Sequence, residues 1–252
     1  MNKLLGYSAA LLSVSLVTPS VMAQRPLGVD VSSYQGSGIN WSSVYANGCR
    51  FAFAKCTEGY NYFIDPDYGG NMSRGKGAGV QMGAYHFAHP YANYPSQEAG
   101  YFWSHASGYI KADGKSLMPM IDFEEFSGHV GTSTYTQWFN DWSADIIADG
   151  HSAHVTLRPV IYCSAGTGAC DLNTSIALGG WIANYNGENL YTGNPWSCCD
   201  CCNAWDPCTQ NNWTYWQVSS TGRIGGISGD VDFDTYPDNL ATLKSWQGVT
   251  SY

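Results

Sequence analysis

Charge is scarce in this chain. Asp, Glu, Lys and Arg make up 12% of its 252 residues, and 11 bases face 20 acids. A net charge of −9 provides no broad cationic surface for phosphate, which argues against a nucleic-acid partner. Long hydrophobic runs are missing beyond the N-terminus, so no later segment could cross a bilayer. There is no internal repeat and no low-complexity stretch. No G-x-S-x-G elbow is present, so serine-nucleophile chemistry is unsupported. His86 and His89 lack the H-E-x-x-H spacing of a zinc hydrolase. No metal and no cofactor is implied. Aromatics are plentiful instead, at 15% with 10 Trp and 18 Tyr. They suit a well-packed core and a surface that stacks on sugar rings equally well.

The first 23 residues read as a secretory signal peptide. Lys3 supplies the positive start, Leu4 to Val17 the apolar stretch, and Val21-Met22-Ala23 the cleavage site. Ser8, Ser13 and Ser15 interrupt the apolar stretch, against a membrane anchor. The mature chain is then residues 24–252, an extracellular protein and a single domain, since barrels of roughly 200–250 residues are common as one unit. Losing Lys3 leaves ten bases against 20 acids, a net charge of −10. A monomer is expected. Four N-x-S/T sequons begin at Asn40, Asn71, Asn173 and Asn212, and some of them are expected to carry glycans. Nine cysteines in a secreted chain read as disulfides, with at least one left over. Cys56, after an apolar strand, is the candidate free thiol. The cluster Cys198–Cys208 reads as a disulfide-stapled loop, with a zinc site as the alternative.

The stretch Ser116–Phe126, SLMPMIDFEEF, organises the rest. An apolar run ends in Asp122-Phe123-Glu124. Side chains alternate on a strand, so Asp122 and Glu124 share a face, with Cα atoms roughly 6.6 Å apart. Like charges that close push one pKa up and can keep one carboxyl protonated near neutral pH, as a general acid requires. A solvated acidic pair or a hard-metal site is the alternative.

Eight strands are expected: Pro26–Ser32, Phe51–Cys56, Gln81–Ala88, Leu117–Glu124, Arg158–Ser164, Gly179–Tyr185, Tyr215–Ser219 and Asp230–Tyr236. Helical patterns follow the first four, over Asn40–Ala46, Pro66–Lys76, Ser96–Lys111 and Ser133–Asp149. A weak helical stretch, Asp171–Ala177, follows the fifth. Strands alternating with helices predict a mainly parallel sheet, and eight of them a barrel.

In a parallel barrel the site lies at the C-terminal strand ends. Asp30, Asp122, Glu124 and Asp232 would meet there. Tyr34, Tyr85, Tyr162 and Trp181 are candidate sugar-stacking residues, whereas Trp138 and Trp142 belong to the core. Lys55, Glu58, Phe87, Asn184 and Gln217 complete the candidate substrate-binding set. Lys55 could equally be tied up in an ion pair with a neighbouring carboxylate, and His86 reads as a hydrogen-bonded core histidine. Carboxylates around an aromatic cleft suit glycoside hydrolysis.

These segments, in order, resemble glycoside hydrolase family 25, the Chalaropsis-type lysozymes or N-acetylmuramidases. The resemblance rests on Gly28-Val29-Asp30-Val31-Ser32-Ser33-Tyr34-Gln35-Gly36, Phe51-Ala52-Phe53-Ala54-Lys55 with Thr57-Glu58-Gly59, and Gly83-Ala84-Tyr85-His86-Phe87. It continues through Asp122-Phe123-Glu124, Trp181-Ile182-Ala183-Asn184-Tyr185, Trp216-Gln217 and Val231-Asp232. It implies an α/β fold, a modified TIM-type (β/α)5(β)3 barrel. It implies cleavage of the β-1,4 bond between N-acetylmuramic acid and N-acetylglucosamine in bacterial peptidoglycan. Glu124 would be the general acid. Asp122 would orient the substrate acetamido group or stabilise the intermediate, with Asp30 and Asp232 completing the acidic rim. Cys56 and the Cys198–Cys208 segment depart from the family pattern. A family 18 chitinase-type barrel would need a further Asp where Met120 stands. A wall-binding protein that has lost hydrolysis usually lacks a catalytic acid, and all four are present. The aromatic, multi-sequon chain points to a fungal source.

Overall fold

Alternation along each strand sorts its side chains between two apolar layers. Phe51, Phe53 and Lys55 share one face of a strand, and Ala52, Ala54 and Cys56 the other. In the computed structural model, which describes residues 24–125, 132–166, 170–196 and 213–252, the first set points into a barrel and the second outward to helices. The expected signal peptide, the Cys198–Cys208 segment and the Asn212 sequon lie outside the described residues.

The barrel strands are β1 (Leu27–Val31), β2 (Cys49–Glu58), β4 (Gln81–Phe87), β5 (Met120–Asp122), β7 (Val160–Ser164), β8 (Gly179–Ala183), β9 (Trp213–Gly222) and β10 (Val231–Thr235). They are hydrogen-bonded in that order, and β1 pairs with both β2 and β10, so the sheet closes. Seven strands run parallel. β10 is antiparallel to both neighbours, β9 and β1. The short β3 (Phe63–Ile64) folds back on the end of β2. A separate pair joins β6 (Val155–Thr156) to β11 (Thr250–Ser251).

Helices α1 (Trp41–Ala46), α2 (Tyr68–Ala78), α3 (Pro95–Ala106) and α4 (Thr132–Ser152) follow the first four barrel strands. Asn40 Oδ1 caps α1 by accepting from Ser43 N at 3.1 Å. Pro95 starts α3, where its missing N–H costs nothing. The helical layer thins after β7, as in a (β/α)5(β)3 barrel. The stretch Asp171–Ala177 is a set of turns rather than a helix. Asn173 Oδ1 accepts from Ser175 N at 2.9 Å and Ser175 Oγ at 2.6 Å, a local bond that competes with helix formation. A helix not expected from the sequence, α5 (Leu240–Gln247), starts at Asn239, whose side chain accepts from Ala241 N and Thr242 N.

All eight expected strands form, but β1, β5, β7 and β10 start later than expected. Pro26, Pro119 and Pro159 precede β1, β5 and β7, and a proline cannot donate to the ladder. Phe51 and Phe53 fill the barrel interior with Tyr215 and Trp181, their rings 4.9–5.3 Å apart in three pairs. Glycines opposite make the room: a Cβ on Gly28 would sit 2.2 Å from the Phe51 ring, and one on Gly83 2.2 Å from Phe53. Outside the barrel, Trp142 and Phe139 of α4 pack with Phe123 and Phe102. His86 is fully buried there. Its Nδ1 bonds Thr57 Oγ1 at 2.8 Å and its Nε2 bonds Glu98 Oε2 at 2.9 Å.

Cys49, Cys56 and Cys163 are free buried thiols. Disulfide pairing therefore fails for Cys49 and Cys163, while Cys56 is free as expected. Burial pushes the Cys49 thiol up to about 12 and raises the other two. The Asn71 sequon lies on α2 with Asn71 buried, and Asn71 Oδ1 accepts from Trp41 Nε1 at 3.3 Å. The fold has no room for a glycan there.

The glycine positions make a direct test. Gly83→Ala should lower the unfolding free energy by roughly 1–3 kcal/mol, as overpacking does, read from the midpoint of a urea titration. An unchanged midpoint would mean that the Phe53 ring yields without cost.

Candidate active site

Eight strands each deliver inward side chains to one end of the barrel. A cavity of about 320 Å³ opens there, and its wall carries Asp30 and Ser32 from the end of β1, Lys55 from β2, Tyr85 and Phe87 from β4, and Asp122 and Glu124 from β5. Tyr162 of β7, Trp181 and Tyr185 at β8, Gln217 of β9 and Asp232 of β10 close the ring. Ten of the thirteen residues expected from the sequence meet in this cavity. Tyr34 and Glu58 line a neighbouring groove that shares Ser32 and Lys55 with it. Asn184 is not at the cavity. Its side chain donates to Pro195 O at 2.7 Å and its carbonyl accepts from Trp216 Nε1 at 2.9 Å, so it shapes the loop after β8.

Asp122 and Glu124 do share a face. Phe123 between them turns outward against Tyr135 and Phe139. Asp122 is buried, and its Oδ1 has no hydrogen-bond partner. Glu124 is exposed at the cavity mouth. Partial desolvation by the surrounding walls lifts the Glu124 carboxyl above the ordinary range although the side chain reaches solvent; Asp232 adds to this and Lys55 opposes it. Burial lifts Asp122 much further, with Glu124 and Asp30 adding to it. Burial and Asp232 raise Asp30 well above the usual range. The Asp232 carboxyl is raised by burial too. Carboxyls so placed resist ionising together, and each gives up its proton at a higher pH than a free carboxyl does.

Hydrogen bonds fix the arrangement. Tyr162 OH and Tyr185 OH both donate to Gln217 Oε1, at 2.9 and 2.6 Å. With its oxygen so engaged, Gln217 turns its Nε2 to Asp30 Oδ2 at 2.8 Å. Trp181 is buried beneath the cavity, and its Nε1 donates to Asp234 Oδ1 at 2.8 Å. Lys55 Nζ is paired with Glu58 Oε2, and it stands 4.9 Å from the Phe87 ring centre. Lys55 is thus ion-paired, as one of the two readings expects, and it lines the cavity.

Ser32, Tyr185 and Asp234 were not among the expected site residues. Ser32 and Tyr185 end the runs that carry Asp30 and Trp181, so the strand ends were the available signal. Asp234 alternates with Asp232, but β10 runs against its neighbours. Its N-terminal end therefore lies at the rim, and Asp234 lies deeper and fully buried. Among the described residues, no three His, Cys, Asp or Glu side chains are grouped to hold a metal ion.

Burial, with Asp30 and Asp232 nearby, raises Asp234 well above its ordinary value. The folded protein then keeps a proton that the unfolded chain releases above about pH 3.9. Stability from that proton is complete below this pH and is lost as pH rises through the folded value. Asp234→Asn keeps the acceptor for Trp181 and removes the titration. The melting temperature of the variant relative to wild type should rise between pH 4 and pH 7 in differential scanning fluorimetry. A constant difference would show that Asp234 does not hold the proton.

Residues 29–227 match the family model of glycosyl hydrolases family 25. The chain is 35% identical over 236 residues to lysozyme M1 of Streptomyces globisporus, covering 89% of this chain and 72% of that protein. Its fold is similar to the bacterial lysozyme from Streptomyces coelicolor, with 32% identity, a TM-score of 0.70, and 88% and 97% of the two chains covered. A muramidase from Acremonium alcalophilum superposes at a TM-score of 0.65 with 26% identity over 88% and 98% of the chains. Four acids gathered in one aromatic cavity of a (β/α)5(β)3 barrel are thus found on a chain that belongs to glycosyl hydrolases family 25, and the protein is a glycoside hydrolase.

Proposed function

We propose that this protein is a secreted lysozyme that hydrolyses the β-1,4 bond between N-acetylmuramic acid and N-acetylglucosamine in bacterial peptidoglycan. The observation that carries the reading is the convergence of Asp122, Glu124, Asp30 and Asp232 on one open cavity with aromatic walls. Glu124 is the general acid. Its raised pKa keeps the proton available, and its place at the mouth lets it reach the glycosidic oxygen. Asp122 offers a buried acceptor, Oδ1, without a partner. That suits the N–H of the substrate acetamido group, which Asp122 would orient at the anomeric carbon. Asp30 and Asp232 stabilise the positive charge that develops on the sugar ring. Gln217 holds Asp30 in place. Tyr85, Phe87, Tyr162, Trp181 and Tyr185 shape the walls against which the sugars lie.

The signal-like residues 1–23 support secretion, with residues 24–252 as one catalytic barrel acting as a monomer. The relatives named lysozyme and muramidase support the bond specificity. The sequons and the aromatic composition support a fungal source, and the motif runs from Gly28 to Asp232 support placement with the Chalaropsis-type enzymes.

Glu124→Gln should reduce kcat by about 10²–10⁴, the share of a general acid, while the protein still binds wall. The readout is new reducing ends on purified peptidoglycan. Mass spectrometry of the released fragments should find N-acetylmuramic acid at those ends. N-acetylglucosamine there would overturn the bond assignment, and no release by a folded, wall-bound wild type would replace hydrolysis with binding.

A further inference from the structure

Asp234 is an acid in a place that disfavours acids. It is fully buried on β10 beneath the catalytic cavity, and the hydrolysis described above does not use it. Its Oδ1 accepts from Trp181 Nε1 at 2.8 Å. Its Oδ2 is buried without a hydrogen-bond partner. An ionised carboxylate with one oxygen dry and unpaired is costly. A protonated carboxyl turns that oxygen into a donor instead.

The strand register places Asp30 within reach of that donor. β10 pairs Asp234 with Gly28 and Asp232 with Asp30 across β1. Gly28 has no side chain, so the inward side chain of β1 beside Asp234 is that of Asp30. On the other flank β9 pairs Asp234 with Gln217, whose Nε2 donates to Asp30 Oδ2 at 2.8 Å. The Asp30 and Asp234 side chains are hydrogen-bonded, and the bond raises Asp234 and lowers Asp30, as it does for a donor and its acceptor. Two carboxylates cannot bond one another without a proton. Asp232, Cys49 of β2 and Tyr215 of β9 also act on Asp234 electrostatically. None of them donates to its Oδ2. Asp232 lines the cavity, Cys49 Sγ is engaged with Phe51 O at 3.1 Å, and Tyr215 OH has no hydrogen-bond partner.

We propose that Asp234 is a positioning residue for the hydrolysis, whose protonated Oδ2 donates a hydrogen bond to the Asp30 carboxylate. Together with Gln217 Nε2 it holds Asp30 in one orientation at the cavity wall and favours the ionised form of Asp30. Asp30 then carries negative charge where the sugar becomes positive, while Asp234 beneath it stays neutral and adds no repulsion. Asp234 does not line the cavity, and it keeps its proton through turnover. This role rests on Asp30 being a stabiliser of the positive charge that develops on the sugar ring.

The test compares Asp234→Leu and Asp234→Asn with wild type. Asp234→Asn keeps an acceptor for Trp181 and a donor for Asp30, whereas Asp234→Leu is similar in size and keeps neither. On solubilised peptidoglycan Asp234→Leu should lower kcat about 10–100-fold, the share of one hydrogen bond to a charged group, with little change in KM. The acid limb of its pH–rate profile should move up by about one pH unit, because Asp30 without its donor ionises less readily. Asp234→Asn should regain most of kcat and return the limb to its wild-type position. An unmoved limb in Asp234→Leu, whatever its rate, would assign Asp234 a structural role and overturn the proposal. Equal damage in Asp234→Asn would show that a negative charge is needed there rather than a donor, and would overturn it as well. Carbon-13 NMR of aspartate-labelled wild type reads the same bond without turnover. The Asp234 carboxyl, identified by its loss in Asp234→Asn, should ionise at a higher pH than the Asp30 carboxyl, identified by its loss in Asp30→Asn. That order in a protein that cuts no peptidoglycan keeps the hydrogen bond and removes its use in hydrolysis. The reverse order in an enzyme that cuts removes the positioning role alone.

Discussion

Five carboxyl groups are confined at one end of this barrel. Asp30, Asp122 and Asp234 are buried, and Asp232 and Glu124 complete the group nearer solvent. Removing a charge from water is costly, and placing like charges together adds to the cost. The protein answers by raising the pH at which the cluster gives up its protons and by supplying a few aimed donors. Gln217 Nε2 serves Asp30 and Trp181 Nε1 serves Asp234. Raised pKa values follow from this confinement. The rest of the molecule stabilises an arrangement that opposes its own folding. The aromatic filling of the barrel and the layer between barrel and helices provide the apolar burial that offsets it.

The direction of β10 decides which acid does what. An eighth parallel strand would bring its C-terminal end to the rim and leave Asp232 below Asp234. Running antiparallel, β10 pairs Asp232 with Asp30 and Asp234 with Gly28. Asp232 then meets the cavity, and Asp234 lies beneath beside Trp181. The short β9–β10 connection makes the reversal possible, since antiparallel neighbours need only a hairpin. Gln217, on β9 opposite Asp234, sits within reach of Asp30 for the same reason.

Much of this was legible in the residues. Alternation placed Asp122 and Glu124 on one face without knowledge of the fold. The succession of strands and helices gave the barrel, and the barrel gave a rim. What was hidden depended on relations between distant segments. Alternation along β10 has no direction, so its reversal cannot be seen locally. Asn184 lies in the same run as Trp181, yet its amide is spent on the carbonyl of Pro195. The late start of β5 was readable in Pro119, a donor missing from the ladder. Pairing of the cysteines was not readable, because count and compartment say nothing about which thiols face an apolar layer. Cys49 and Cys163 do so.

An acidic enzyme and the anionic wall proposed as its substrate should repel one another, and several features of the structure reduce that repulsion. Most of the 20 acids act at a distance, and at physiological ionic strength their field falls off within about 8 Å. The acids that would face the substrate closely are those whose ionisation burial and mutual repulsion oppose. Lys55 sits among them and lowers both Asp122 and Glu124, which tempers the local field further. At contact range Tyr85, Phe87, Tyr162, Trp181 and Tyr185 line the walls beside the acids. Stacking and hydrogen bonding against such walls are insensitive to net charge. The scarcity of charge in the sequence and the crowding of acids at the site are therefore compatible: few charges elsewhere leave the surface weakly repulsive, and the concentrated ones oppose one another's ionisation where the sugar would lie.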